Sequence, residues 1–255
     1  MSLNKFTAVA ALTLLATSFA NAESIERQFE ADPGDRLYLK TDSGSIDIDT
    51  HNRDEIKVDV EINGRDADEF EVTFDESSRG LEIRGERDNA SGWNNLKVKF
   101  YITVPKEYDI EVMTAGGSIR IDDLIGTIDA NTSGGSISIG DVEGDVNLHT
   151  SGGSIKTESI AGEIDAHTSG GSISVIFAQQ PQQDASLTTS GGSITAKLPS
   201  DISVDLDAST SGGRVRSEFD VDGRVKKQSI RGEINGGGPK LKLHTSGGSV
   251  RVEKN

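Results

Sequence analysis

The phrase Thr132-Ser133-Gly134-Gly135-Ser136-Ile137 returns unchanged at Thr150 and Thr168, each time after 18 residues. It recurs once more at Thr189, and variants begin at Thr114 (TAGGSI), Thr210 (TSGGRV) and Thr245 (TSGGSV), so the successive intervals from Thr114 are 18, 18, 18, 21, 21 and 35 residues. A degenerate copy, TDSGSI, begins at Thr41. Fixed self-similarity at this period marks a stacked-coil architecture, in which one repeat is one turn of chain.

Columns appear when the chain is aligned on the threonines. The residues two and four before each Thr are apolar throughout, from Leu39/Leu37 and Val112/Ile110 to Leu243/Leu241. That alternation marks a strand with one buried face. The fifth residue after the Thr is Ile119, Ile137, Ile155, Ile173, Ile194, Val215 or Val250, and the seventh is apolar or small, as in Ile121, Thr157 and Val252. A second short strand is therefore predicted.

Between the two strands lie glycine pairs: Gly116 and Gly117, Gly134 and Gly135, Gly152 and Gly153, Gly170 and Gly171, Gly191 and Gly192, Gly212 and Gly213, Gly247 and Gly248. They are read as structural corners, where glycine allows positive φ at little steric cost. A third apolar position (Leu124, Val142, Ile160) and a further glycine (Gly126, Gly144, Gly162) mark another bend. One such unit cannot bury its apolar side alone, but coils stacked at the strand spacing build a continuous core. The Thr and Ser positions are read as hydroxyl ladders along the corner.

The fold class expected is all-β: a single-stranded, parallel, right-handed β-solenoid (β-helix). A hidden coil is expected at Ser229–Asn235, which matches Ser159–Asp165. Residues 54–110 alternate over longer runs, such as Ile56-Lys57-Val58-Asp59-Val60, and are read as a β-meander capping one end. The lone Trp93 falls in a loop of this segment and is expected to pack on the sheet. The expected division is a signal peptide over 1–22, an N-terminal strand or first coil with the meander over 23–110, and the solenoid over 111–255.

Lys5, the uncharged stretch Phe6–Phe19 and the cleavage site Ala20-Asn21-Ala22 compose the signal peptide, so the mature chain should begin at Glu23. No later segment is apolar enough to span a bilayer, and a soluble periplasmic or extracellular protein is expected. Cysteine is absent, which excludes disulfides and Cys-ligated metals. Net charge is −16 but uneven: residues 214–255 hold ten Lys/Arg against five Asp/Glu, a net of +5 that leaves −21 on the remainder. The basic end is a candidate contact for an anionic polymer, while the acidity of the rest argues against nucleic acid.

The repeat, the lead-in Val104-Pro105-Lys106-Glu107-Tyr108-Asp109-Ile110 and the closing segment from Gly238 to Gly248 together resemble the bacterial β-strand-repeat family known as "putative adhesin", from about Leu37 onward. The resemblance implies a secreted β-solenoid at the cell surface, of undefined biochemical role, with no catalytic residues to carry over.

Three patterns remain for chemistry. Outward positions place His149 and His167 on adjacent coils with Asp165 nearby, a ligand set suited to zinc or copper, although solvated strand positions explain the same residues. Asp122, Asp123, Asp141, Glu143, Asp145 and Glu163 are scattered acids rather than the paired carboxylates of glycan cleavage. A face carrying Ser136/Ser138, Ser172/Ser174 and Ser193/Thr195, interrupted by Arg120, Lys156, Arg214 and Arg216, is an array of hydroxyls. The expectation is a non-enzymatic scaffold or adhesin-like binding module of the cell envelope, without cofactor. Its partner would be a surface glycan, an envelope polymer or a protein. The alternatives are a periplasmic accessory protein binding an anionic polymer through its basic end, and a polysaccharide-acting enzyme.

Overall fold

The structure is a computed structural model that describes residues 22–32, 34–77, 79–87 and 96–255. The expected signal peptide, except Ala22, and Trp93 lie outside the described residues. Among those residues the chain is all-β, with one short 3-10 turn at Ala67–Glu69. Two large sheets face each other across the core. The strands that end at the repeat threonines belong to a sheet of twelve, here the Thr sheet. Those that begin at the following isoleucines form a sheet of eleven, the Ile sheet.

In the middle of the stack the register is strictly that of the repeat. Thr132 stands opposite Thr114 and Thr150, and Thr150 opposite Thr168. Ile137 stands opposite Ile119 and Ile155 on the other sheet. A third, narrow side closes these coils through Leu124–Ile125 paired with Val142–Glu143, continued by single bridges from Val142 to Ile160 and Ile160 to Phe177. The inward apolar residues of these columns, such as Ile119, Ile137, Ile155, Leu124, Val142 and Ile160, are buried, so the core is one continuous file.

The order of coils departs from the order of the chain at both ends. Lys240–Thr245 pairs with Ala185–Thr189 on one side and Val204–Thr210 on the other. The last coil is thus inserted beneath the one before it. At the other end Arg36–Thr41 lies between Asp109–Thr114 and Gly80–Arg87, while Ser45–His51 lies between Ile119–Ile121 and Lys97–Pro105. The TDSGSI coil is therefore a true coil, and Gly80–Arg87 and Lys97–Pro105 lie outside it, one on each sheet.

This insertion overturns the coil expected at Ser229–Asn235. The chain must leave the outermost coil, reverse, and pass back under it to reach Lys240. Ser229–Ile234 consequently runs antiparallel to Val204–Thr210 and to Asp222–Lys226, a capping hairpin rather than a coil. Asn235, Gly236 and Gly237, all at positive φ, make the return. The segment 54–110 likewise divides between the sheets. Glu55–Asn63 lies antiparallel between Ala22–Glu30 and Lys97–Pro105 on the Ile sheet, and Phe70–Ser77 lies antiparallel to Gly80–Arg87 on the Thr sheet. The sheets are mixed: parallel through the centre, antiparallel at both ends.

Each letter of the repeat phrase has a task between coils. The buried Thr hydroxyl donates to the carbonyl of the second glycine in the coil before it. Thr150 Oγ1 reaches Gly135 O at 2.7 Å, Thr168 reaches Gly153 O at 2.7 Å, and Thr210 reaches Gly248 O at 2.6 Å. It also accepts the N–H of its own second glycine, at 3.3 Å for Gly153 on Thr150. The closing serine accepts the backbone N–H of its counterpart in the next coil, at 3.1 Å for Ser154 on Ser136 and Ser172 on Ser154. The ladder ends where the N–H of Arg214 donates to Ser249 at 3.2 Å.

The glycines answer to spacing more than to φ. A Cβ added at Gly135, Gly153, Gly171, Gly192 or Gly248 would sit only 2.0–2.2 Å from the backbone oxygen of the second glycine below, and of the corner pairs only Gly117 has a positive φ. This corrects the expectation that the pair supplies positive φ. Gly213 departs from the expected corner in a second respect. Sequence order sets it against Gly192, but the inserted coil takes that place, and an added Cβ at Gly213 would meet Gly248 O at 2.2 Å. The first glycine of a pair is less constrained: at Gly134 the nearest atom to an added Cβ is 3.9 Å away.

Two contrasts test this account. Gly153→Ala should lower stability by about 1–3 kcal/mol or more, since backbone must move, whereas Gly134→Ala should be close to neutral; chemical denaturation of both variants gives the comparison. Thr150→Val strips a partner from a buried carbonyl and should cost about 1–3 kcal/mol. Thr157 occupies a core column held by Ile121, Ile139 and Val175 in neighbouring coils, and its buried hydroxyl has no partner. Thr157→Val should therefore stabilise by about 1 kcal/mol, the opposite sign for the same substitution.

Candidate ligand-binding faces

The outer surface of the Thr sheet is acidic. Glu111, Asp129, Asn147 and Asp165 follow one another on successive strands. They line an open depression of about 470 Å³ together with Arg36, Asp145 and Glu163. Several of these groups are already engaged. Glu111 is ion-paired with Arg36 at 2.8 Å, and Asp145 Oδ1 accepts the backbone N–H of Glu163 at 3.0 Å. A second depression, of about 560 Å³, lies on the narrow side beside Asp123, Asp141 and Glu143. There Asp123 Oδ1 accepts the N–H of Asp141 at 2.9 Å. Asp109 and Asp184 cap the N–H groups of Thr127 and Lys240 in the same way. These side chains continue the inter-coil ladder.

His149 and His167 do stand on adjacent strands in register. Their rings are stacked, with centroids 5.0 Å apart and planes 14° from parallel. Two imidazole nitrogens sharing one zinc at about 2.1 Å each must approach within roughly 4 Å of one another and point at a common centre. Stacked rings direct their nitrogens side by side instead. Asp165 lies beside His167 on the same strand, but among the described residues no group of three or more His, Cys, Asp or Glu is placed to hold a metal ion.

The outer surface of the Ile sheet is different. Strand register places Arg120, Ser138, Lys156, Ser174, Thr195, Arg251 and Arg216 in one row, each beside the next. All point away from the core, between buried neighbours such as Ile119 and Ile121. Seven rungs at about 4.8 Å make a row of roughly 29 Å. The four basic side chains are exposed, and among the described residues none takes part in an ion pair. Sequence order hides this row in part. Arg251 joins it only because the last coil slides in beside Thr195; reading along the chain puts Arg216 there instead. Ser136, Ser154, Ser172 and Ser193 flank the row, each accepting an inter-coil N–H while its own hydroxyl hydrogen stays available.

A family model described as Toastrack DUF4097 matches residues 35–161 and again residues 125–253. The chain belongs to the Toastrack family. The two matches overlap and together span all the coils, as a repeat allows. Among solved structures, the Toastrack chain is similar to a "putative cell adhesion protein" from Clostridium sporogenes, at 12% identity over 91% of this chain and 100% of that one, with a TM-score of 0.41. It is also similar to a "putative adhesin" from Bacteroides fragilis, at 15% identity over 91% and 97% of the two chains with a TM-score of 0.40. A "putative lipid binding protein" from Parabacteroides distasonis is 12% identical over 91% and 97%, with a TM-score of 0.33. No curated protein matches the chain. No helix among the described residues is long and apolar enough to cross a membrane.

One titratable group of the Toastrack chain is displaced far from its ordinary range. Tyr108 is buried, and its hydroxyl has no hydrogen-bond partner. Burial pushes the phenol from 10.0 up to about 12, with the Asp35 and Asp32 carboxylates adding to the rise. The group sits in the core lead-in before Asp109–Thr114, away from both faces. Its neutral form favours the fold. That contribution is whole below the unfolded value of 10.0 and is lost as pH climbs to the folded value of about 12. Wild type should accordingly shed stability across this window that Tyr108→Phe keeps. Denaturation midpoints of the two proteins, compared at neutral pH and in the alkaline window, measure the difference; equal alkaline losses would show the phenol to be solvated.

Proposed function

We propose that this Toastrack protein is a non-enzymatic binding module of the cell envelope that lays a linear anionic polymer along the outer face of its Ile sheet. The observation that carries this is the row of four unpaired cations interleaved with hydroxyls. A flat file of equal rungs suits a repeating ligand, because each rung offers the same weak contact and many such contacts add to useful affinity. Arg120 and Lys156 stand two rungs apart, about 10 Å, and Arg251 and Arg216 are on adjacent rungs. Of the acids that a glycan-cleaving enzyme would need, Asp123 and Asp145 are engaged as backbone caps, which favours holding a polymer over cutting it. In this reading the leader Met1–Ala22 exports the chain to the periplasm or beyond, and the repeats form one single-stranded parallel coil. Its right-handed winding follows the strong preference of parallel crossovers.

The basic C-terminal end extends the row, since Arg214 stands one corner away from Arg216. Removing residues 214–255 does not test it cleanly: it takes out the coil Lys240–Lys254, which lies inside the stack. Neutralisation is the suitable test. A variant carrying Arg120→Gln, Lys156→Gln, Arg216→Gln and Arg251→Gln should lose more than about tenfold in affinity for polygalacturonate and dextran sulfate while its melting temperature stays within a few degrees. Binding of the wild type should weaken steeply with salt. Undiminished binding by the variant would end the proposal, and fractionation of the producing cell would check export.

A further inference from the structure

Beyond polymer binding, the two ends of the stack are complementary to each other. The Thr sheet ends in Phe70–Ser77 at one extremity and in Asp222–Lys226 at the other, and among the described residues neither strand has a partner on its outer edge. Edge strands left open invite pairing, and charged side chains along them normally deter it. Here the two edges carry opposite charge. On the outer face of Phe70–Ser77 stand Glu71 and Asp75, in line with Glu86 and Glu82 of the next strand. On the outer face of Asp222–Lys226 stand Asp222, Arg224 and Lys226, with Arg231 beside Arg224 and Glu233 beside Asp222, so the basic character is concentrated at the Arg224–Lys226 end of the strand. The wider surroundings agree in sign: residues 22–87 hold twenty Asp/Glu and nine Lys/Arg, whereas residues 214–255 have a net of +5.

The inner faces match as well. Val225 points to the core side, opposite Ile230, yet is 63% exposed because the Ile sheet stops at Val215–Ser217 while the Thr sheet runs two strands further. At the acidic end Val72 and Phe74 point inward from the edge strand and are only partly covered. There it is the Ile sheet that projects further, by Glu55–Asn63 and Ala22–Glu30 against the single strand Phe70–Ser77. One end overhangs on one sheet and the other end on the opposite sheet.

The geometry points to head-to-tail association of this chain with a second copy of itself. The strand Asp222–Lys226 of one molecule pairs with Phe70–Ser77 of the next, so that the Thr sheet continues across the joint. In the antiparallel register that sets Val225 opposite Phe74, Arg224 falls opposite Asp75, Lys226 opposite Thr73 between Glu71 and Asp75, and Asp222 opposite the uncharged Ser77. Like ends repel, so the contact is directional. Because it uses two different surfaces, it leaves a free end of each kind and propagates into an open filament.

Sedimentation velocity of the mature chain tests this. At low ionic strength the weight-average mass should at least double as concentration rises, and it should fall back to the monomer in about 0.5 M salt, where screening is short-ranged. Arg224→Glu/Lys226→Glu and Glu71→Lys/Asp75→Lys should each remain monomeric, since each has two ends of like sign at the joint. An equimolar mixture of the two variants should assemble again, because each end then meets its opposite. A wild type that stays monomeric throughout, or variants that assemble as well alone as together, would overturn the proposal. None of the four substituted residues lies in the Ile-sheet row, so retention of dextran sulfate by both variants reports on polymer binding separately.

Discussion

The stack depends on how closely the backbone of one coil approaches the next at the glycine corner. With a carbonyl oxygen lying where a side chain would have to begin, only glycine fits, and it must recur in every coil at the same angular position. Backbone approaching this closely brings N–H and C=O groups of successive coils to the corner, where they need partners of fixed direction. The threonine hydroxyl supplies one toward the coil below and the serine oxygen one toward the coil above. The phrase is consequently a unit: the glycine creates the close contact, and the two hydroxyls satisfy the backbone groups that the contact would otherwise strand. Isoleucine and the preceding apolar pair then fill the interior that the corner encloses.

Insertion of the first and last coils changes what the ends of the molecule are. In a simple single-file solenoid the terminal coil touches one neighbour and is free to peel away. Here the coil ending at Lys254 is paired on both sides, by Ile194–Leu198 and Val215–Ser217 on one sheet and by Ala185–Thr189 and Val204–Thr210 on the other. The outermost coil is in turn held by covalent connections at both of its own ends, so neither it nor the terminal segment opens without disturbing the other. The antiparallel strands at the two extremities are the consequence of this routing, because the chain has to turn back before it can enter the stack.

The coils were legible in the sequence because stacking forces equivalent residues into equivalent environments, and the spacing of TSGGSI records that directly. Glycine, threonine and isoleucine columns all follow from it. The insertions were not legible, since a coil carries the same letters whichever neighbour it meets. Gly213 is a corner glycine whether it rests on Gly192 or on Gly248, and nothing in its own phrase tells the two apart. The likeness of Ser229–Asn235 to Ser159–Asp165 shows the same difficulty: similar alternation serves a coil strand and an antiparallel cap, and only the route of the chain separates them. The candidate face was half legible. Arg120, Lys156 and Arg216 lie at repeat positions of the hydroxyl face, but Arg251 belongs to the row through its spatial neighbour Thr195. The stacked histidines were placed correctly on adjacent strands; what the sequence lacked was the ring orientation.

Arg214 shows where structural demand stops. It takes the place of the corner serine in the outermost coil, and on that side no further coil offers an N–H for a serine oxygen to accept. The position is thereby released from the ladder and becomes basic. The same logic applies to the outward residues of the Ile sheet, which contact neither the core nor the corner. A stack that fixes its threonines, glycines, serines and isoleucines by mutual contact leaves recognition to the residues between them. On the Thr sheet those residues include Glu111, ion-paired with Arg36, and on the Ile sheet they include four cations that take part in no ion pair among the described residues. A ligand that had to displace the caps at Asp123 or Asp145 would loosen the stack that presents it. One that lies across Arg120, Lys156, Arg251 and Arg216 meets side chains that take part in no ion pair among the described residues, which is the physical ground for proposing the Ile-sheet face over the acidic one.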